Sequence, residues 1–153
     1  MTGEPTKTAR EISENLLEIT AKAMLACDFD TFSTCFHVPH FISSAEDKTV
    51  LETREDLRRI FLAVCQDYEV MRITSLVRIL EVAEFQSPTR IQATHIQHLM
   101  VGNDRVGPAM PCYSILECFD GHWKVASSQY GVDSNTTVGH VLKDWHAPQS
   151  KQQ

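Results

Sequence analysis

The chain has 153 residues, of which 42% are hydrophobic and 22% charged, and carries a formal net charge of −6. That length fits one domain whose core needs neither disulfide nor metal to hold. The 14 basic residues are scattered, adjacent only at Arg58-Arg59, so neither nucleic acid nor an anionic membrane surface is an expected partner.

Residues 1–7 read as a disordered N-terminus with no apolar run of a secretory signal behind it. Thr8 followed three residues later by Glu11 is a capping box and predicts a helix start. Ile12, Leu16, Ile19 and Ala23 then recur at helical spacing, carrying the helix to about Ala26. Asp28 is placed to cap a second, short helix bearing Phe29, Phe32 and Phe36, which Pro39 ends because proline disfavours helical geometry at its predecessor. Residues 41–43 and 48–51 read as two short strands about a polar turn at 45–47.

Thr53 with Asp56 marks a third helix, whose Leu57, Ile60, Phe61 and Val64 form one apolar face, with Tyr68 near its end. The period then changes. Residues 71–82 and 90–101 are rich in β-branched side chains and are separated by a loop at 86–88. Residues 102–105 make another turn. Residues 111–119 and 123–130 form a last hairpin closed by Asp120-Gly121. Beyond Asp133 the chain turns polar, yet Val138, Val141, Leu142 and Trp145 repeat at helical spacing. Residues 133–153 are therefore expected to form a C-terminal arm with a disordered end. Three helices followed by four long meandering strands predict an α+β fold, the sheet curling around the helices.

That order resembles the nuclear transport factor 2-like superfamily, and within it the SnoaL-like branch. Two local features carry the resemblance. Ala26-Cys27-Asp28-Phe29-Asp30 is similar to the family's helix-to-helix elbow, and Asp120-Gly121-His122-Trp123-Lys124-Val125 to its last hairpin. The resemblance implies a single domain over residues 8–132, a cone with the N-terminal helices in the concave face of a curved, mostly antiparallel sheet. It also implies a pocket between sheet and helices and a homodimer formed through the outer sheet face. Function does not follow, since this fold hosts isomerases, dehydratases, cyclases and non-catalytic binders.

Set against ketosteroid isomerase, the column of the catalytic aspartate falls on Ser44 and that of the oxyanion-hole tyrosine on Thr20. Neither keeps the chemistry, because serine is no base at neutral pH without a second group to activate it. Set against scytalone dehydratase, the helix columns of tyrosine and aspartate fall on Met24 and Leu25, and the strand tyrosine again on Ser44. That enzyme also uses histidines projecting from its sheet, and His95 and His98 here share one strand. Being three apart they face opposite sides, so one of them at most lines a pocket. Histidine suits a general base because its ordinary pKa is near neutrality.

On the last hairpin, turning Glu117 and Lys124 outward turns Ser114, Leu116, Cys118, Trp123, Val125, Ser127 and Gln129 inward. That is the apolar wall with a few polar groups of a small-molecule site. Tyr113, Ile115, Phe119 and Tyr130 then form an apolar outer face, which favours a covering second copy. Cys35, His37 and His40 make one cluster only, with Pro39 inside it, so no metal is expected. The five cysteines keep no framework spacing, which suits a reducing cytoplasm. No Gly-x-Ser-x-Gly elbow, phosphate loop or dinucleotide fingerprint occurs, so nucleophilic catalysis and nucleotide cofactors are not expected. The expectation is a small apolar organic ligand, held with no cofactor and without nucleic acid or membrane. His95 or His98 would act as base, with Tyr68 or Gln129 orienting the ligand and Ser114, Ser127 and Trp123 lining its site. The alternative is a non-catalytic carrier or scaffold.

Overall fold

The computed structural model describes residues 7–131. The capping box forms as the spacing predicts. Thr8 Oγ1 accepts from the Glu11 N–H at 3.0 Å, and Glu11 Oε1 accepts from the Thr8 N–H at 2.9 Å, opening helix α1 (Ala9–Ala26). Cys27 closes α1 in left-handed geometry with φ 53°, and Asp28 at once caps α2 (Phe29–Ser33) by accepting from the Thr31 N–H at 3.2 Å. The elbow motif therefore has a physical content. Asp28 caps, Phe29 is buried, and Asp30 receives Arg54 Nη2 at 2.9 Å from the start of the third helix.

The second helix is shorter than its phenylalanine spacing suggests, and Phe36 already belongs to strand β1 (Phe36–Ser43). Pro39 sits inside that strand, within the stretch where its pairing register shifts, a position that tolerates a residue without an N–H. Strand β2 (Lys48–Leu51) pairs with β1, and α3 (Arg54–Met71) follows with Thr53 as its cap. Four long strands complete the described residues: β3 (Ser75–Ser87), β4 (Arg90–Val101), β5 (Asp104–Phe119) and β6 (His122–Tyr130). Strand β5 begins earlier than residue 111 because it reverses directly from the turn at Gly102, which sits at φ 60°.

The six strands form one sheet in the order β2-β1-β6-β5-β4-β3, antiparallel except where β1 runs parallel to β6. Asp120 and Gly121, at φ 52° and 82°, make the tight turn between β5 and β6. Two apolar clusters hold the helices against the sheet. One gathers Phe29, Phe32, Leu51, Phe61 and Tyr68 from α2, β2 and α3, and the other gathers Ile12, Leu16, Ile91, Leu116 and Val125 beside α1. Phe61 contacts the rings of Phe29 and Phe32 at 5.5 and 4.5 Å, so these three aromatics key the first cluster together.

No described helix is long and apolar enough to cross a membrane. Residues 1–6 and the proposed arm at Val138, Val141, Leu142 and Trp145 lie outside the described residues.

Candidate functional site

Period 2 along the strands and the pairing register together lay out the inner wall of the sheet as rows. Ala93, Ser114 and Ser128 lie side by side on β4, β5 and β6. Leu80, His95, Cys112 and Tyr130 form the next row, from β3 to β6. Arg78, Gln97 and Met110 form a third. Adjacent rows are separated by two residues of strand, roughly 7 Å. Between these rows and the helices lies a cavity of about 100 Å³, lined by these side chains and by apolar residues such as Leu16, Phe36, Phe61 and Val64. One water needs on the order of 10–15 Å³, so the space admits several waters or a small organic molecule.

His95 is turned into this space at 7% exposure. Burial, with a smaller contribution from the Arg78 charge, drives its pKa down to about 3, and no hydrogen bond opposes that shift. His40 is more deeply buried, its Nε2 3.3 Å from Ser128 Oγ, and burial lowers its pKa to about 4. Burial moves the acids the other way, raising Tyr68 and Tyr130 and pushing the Cys112 thiol up to about 11. At neutral pH these groups are therefore all uncharged. Neither Asp nor Glu is among the described residues that line the cavity.

One corner is built around Arg78. Its Nε donates to Gln97 Oε1 at 2.7 Å, and its Nη1 to Thr20 Oγ1 at 2.6 Å and the Leu17 carbonyl at 3.2 Å. Among the described residues its Nη2 meets only the Met24 sulfur, at 3.5 Å. Thr20 passes its own proton to the Leu16 carbonyl at 2.8 Å, which leaves its oxygen free to accept from Arg78. Gln97, 2% exposed, spends its Nε2 on the Tyr68 hydroxyl at 3.4 Å.

Of the residues expected from sequence, His95, Tyr68 and Ser114 lie together in the cavity. His98 does not: it stands opposite Val77 on the outer face of the sheet, as the three-residue offset from His95 requires. Ser127 and Gln129 also face outward, lining a shallow outer groove with Phe41 and Tyr113. The reason is a bulge. Opposite β5, the pairing passes from Leu116–Val125 to Ile115–Ser127, so Ala126 is skipped and parity inverts beyond it. Ser128 and Tyr130 take the inward places, and Tyr130 accordingly leaves the outer set. Trp123, before the bulge, packs with the cluster beside α1 and meets Phe85 edge-on at 6.0 Å, away from the cavity.

Ser44 belongs to a turn, where its Oγ accepts from the Asp47 N–H at 3.2 Å. Cys35, His37 and His40 do not converge. Cys35 joins the cluster beside α1, His37 stacks on Phe119 at 4.1 Å, and His40 enters the cavity. Among the described residues no three His, Cys, Asp or Glu side chains gather as metal ligands.

No protein-family profile matches the chain, and no curated protein matches it in sequence. Solved structures do match. An NTF-2-like protein of unknown function from Shewanella oneidensis superposes with a TM-score of 0.64 at 13% identity, over 80% of this chain and 98% of that one. A domain of unknown function with a cystatin-like fold from Nostoc punctiforme gives 0.66 at 12% identity, over 97% and 93%. The hexachlorocyclohexane dehydrochlorinase LinA-type3 of Novosphingobium barchaimii gives 0.55 at 14% identity, over 79% and 84%. The chain has the nuclear transport factor 2-like, cystatin-like cone fold.

Proposed function

We propose that the cone cavity binds a small, largely apolar organic molecule and that His95 is the group that meets its polar or reacting end. The observation that carries this is a histidine turned into an apolar-walled cavity without a hydrogen bond to any described residue. A buried polar group normally has a partner, and a ligand atom would supply one here. Cofactor-free acid–base chemistry of isomerase, dehydratase or cyclase type is the activity such a site supports, with His95 exchanging the proton and the Tyr68 hydroxyl orienting the substrate. One solved relative of the same fold is named as a dehydrochlorinase. We place the chain in the SnoaL-like branch on its elbow at residues 26–30 and its hairpin at 120–125.

A carrier is the second reading, and the same histidine favours it. A base whose conjugate acid has a pKa of about 3 abstracts protons poorly at neutral pH. Binding and turnover separate the two. Thermal unfolding in the presence of a panel of small organic compounds should find stabilising ligands, and His95→Leu should change which of them bind. Proton exchange of a bound ligand with deuterated solvent, lost in His95→Leu, identifies an enzyme; retention without exchange identifies a carrier. Absence of any stabilising compound contradicts both.

We further propose that a second copy covers the outer sheet face, in a reducing cytoplasmic setting. Phe41 and Ile79, 54% and 51% exposed, stand there with Val77, Val82 and Tyr113. Sedimentation of the wild type as a monomer would contradict the dimer.

A further inference from the structure

Among the described residues the charge at the Arg78 corner has no counterpart. A guanidinium keeps its positive charge throughout the ordinary pH range, and no carboxylate lies within ion-pair distance of it among the described residues. Its four contacts are all neutral: an amide oxygen, a hydroxyl, a backbone carbonyl and a thioether. Those contacts hold the group firmly, because Nε and both Nη1 protons are taken. They leave Nη2 with a thioether, a weak acceptor, for two donors. The neighbouring Tyr68 hydroxyl accepts from Gln97 and has its own proton left to give. An oriented cation and an oriented hydroxyl donor thus share one corner of a cavity that is otherwise uncharged. A half-buried charge held only by dipoles lacks the partner that normally offsets its desolvation.

Resting on the reading of the cavity as a ligand site, we infer that the ligand is a small organic acid. Its carboxylate docks on Arg78 Nη2 and the Tyr68 hydroxyl, and its apolar body extends along the sheet past His95. Arg78 stands one row from His95 on the inner wall, so a carboxylate held at Arg78 brings the adjoining carbon chain beside the imidazole. Carboxylate is the preferred anion because the cavity of about 100 Å³ also has to admit the apolar body, and its two oxygens can accept one from Arg78 Nη2 and one from the Tyr68 hydroxyl.

The test compares acids with their neutral amides, hexanoate with hexanamide and benzoate with benzamide, by calorimetric titration of the full chain. In the wild type each acid should bind at least about tenfold more tightly than its amide, the effect of one charge-assisted contact. Arg78→Met should abolish that preference, and Arg78→Lys should restore part of it. The wild-type comparison stands alone should the variants fail to fold. Equal binding of acid and amide to the wild type would overturn the Arg78 assignment and leave the cavity reading intact. Binding of neither would overturn both. Glu4, Asp133 and Asp144 lie outside the described residues. Should Glu4→Gln, Asp133→Asn and Asp144→Asn together tighten acid binding at least tenfold, the chain's own carboxylates would be the occupants of Arg78, and the ligand assignment would fall.

Discussion

Keeping two histidines neutral inside the cone makes stability depend on pH in a defined window. His95 and His40 have folded-state pKa values of about 3 and 4, against 6.5 for an exposed imidazole. The unfolded chain therefore takes up protons first. The stability each contributes is fully present above pH 6.5 and is lost as pH falls from there toward the folded value. At 1.36 kcal/mol per unit, acidification from above 6.5 to pH 5 removes roughly 2 kcal/mol for each histidine. Together that is on the order of 4 kcal/mol, a large share of the stability of a typical domain. Urea unfolding at pH 7.5 and pH 5.0 measures the loss directly. His95→Leu removes one contributor, so its loss between the two pH values should be smaller than that of the wild type by roughly 2 kcal/mol. Carboxylates and the remaining histidines titrate alike in both proteins and cancel. An unchanged loss in His95→Leu would show that His95 is not held neutral by burial, and the placement of its ring in an apolar-walled cavity would be wrong.

Phe61→Ala should lower unfolding free energy by about 3–5 kcal/mol, since its ring is 2% exposed and keys Phe29 and Phe32 together; denaturant midpoints check it. Thr8→Ala should remove about 1 kcal/mol by breaking the capping box, visible in the same experiment and as faster amide exchange in the first turn of α1. Ile79→Lys should shift the dimer toward monomer in sedimentation, with a loss of apparent unfolding free energy that grows with protein concentration. His98→Ala, on the outer face, should leave ligand affinity within about twofold, which the same calorimetry reads.

The elements were legible where local chemistry is strong. Thr8 with Glu11, Thr53 with Asp56 and Asp120-Gly121 each mark a boundary through their own hydrogen bonds or φ values, and each lies at its expected place. That His95 and His98 face opposite sides follows from strand period alone; which of them turns inward did not, and the structure shows it to be His95. By the same parity Gln97, two residues beyond His95, was within reach. Ser127 and Gln129 were misread because the bulge at Ala126 carries no glycine or proline to announce it. Arg78 was hidden by the rule that charges face water. It is flanked by Val77 and Ile79, and in this sheet those apolar neighbours are the exposed ones. Hydropathy alternation read from sequence inverts the strand, and the contacts to Thr20, Leu17 and Gln97 show which way the guanidinium points. His40 was grouped with Cys35 and His37 by spacing alone, which does not show that the three turn to different neighbours.

Native mass spectrometry of protein purified gently from cells tests the ligand-binding claim most directly, because it weighs the subunits and any small molecule they retain together. The account predicts a dimer carrying a small organic adduct, whose release on mild activation returns the mass of an acid and which Arg78→Met no longer retains. Adduct-free protein, with no gain in thermal stability across acids, amides and neutral apolar compounds, would contradict it and leave the cone as a scaffold.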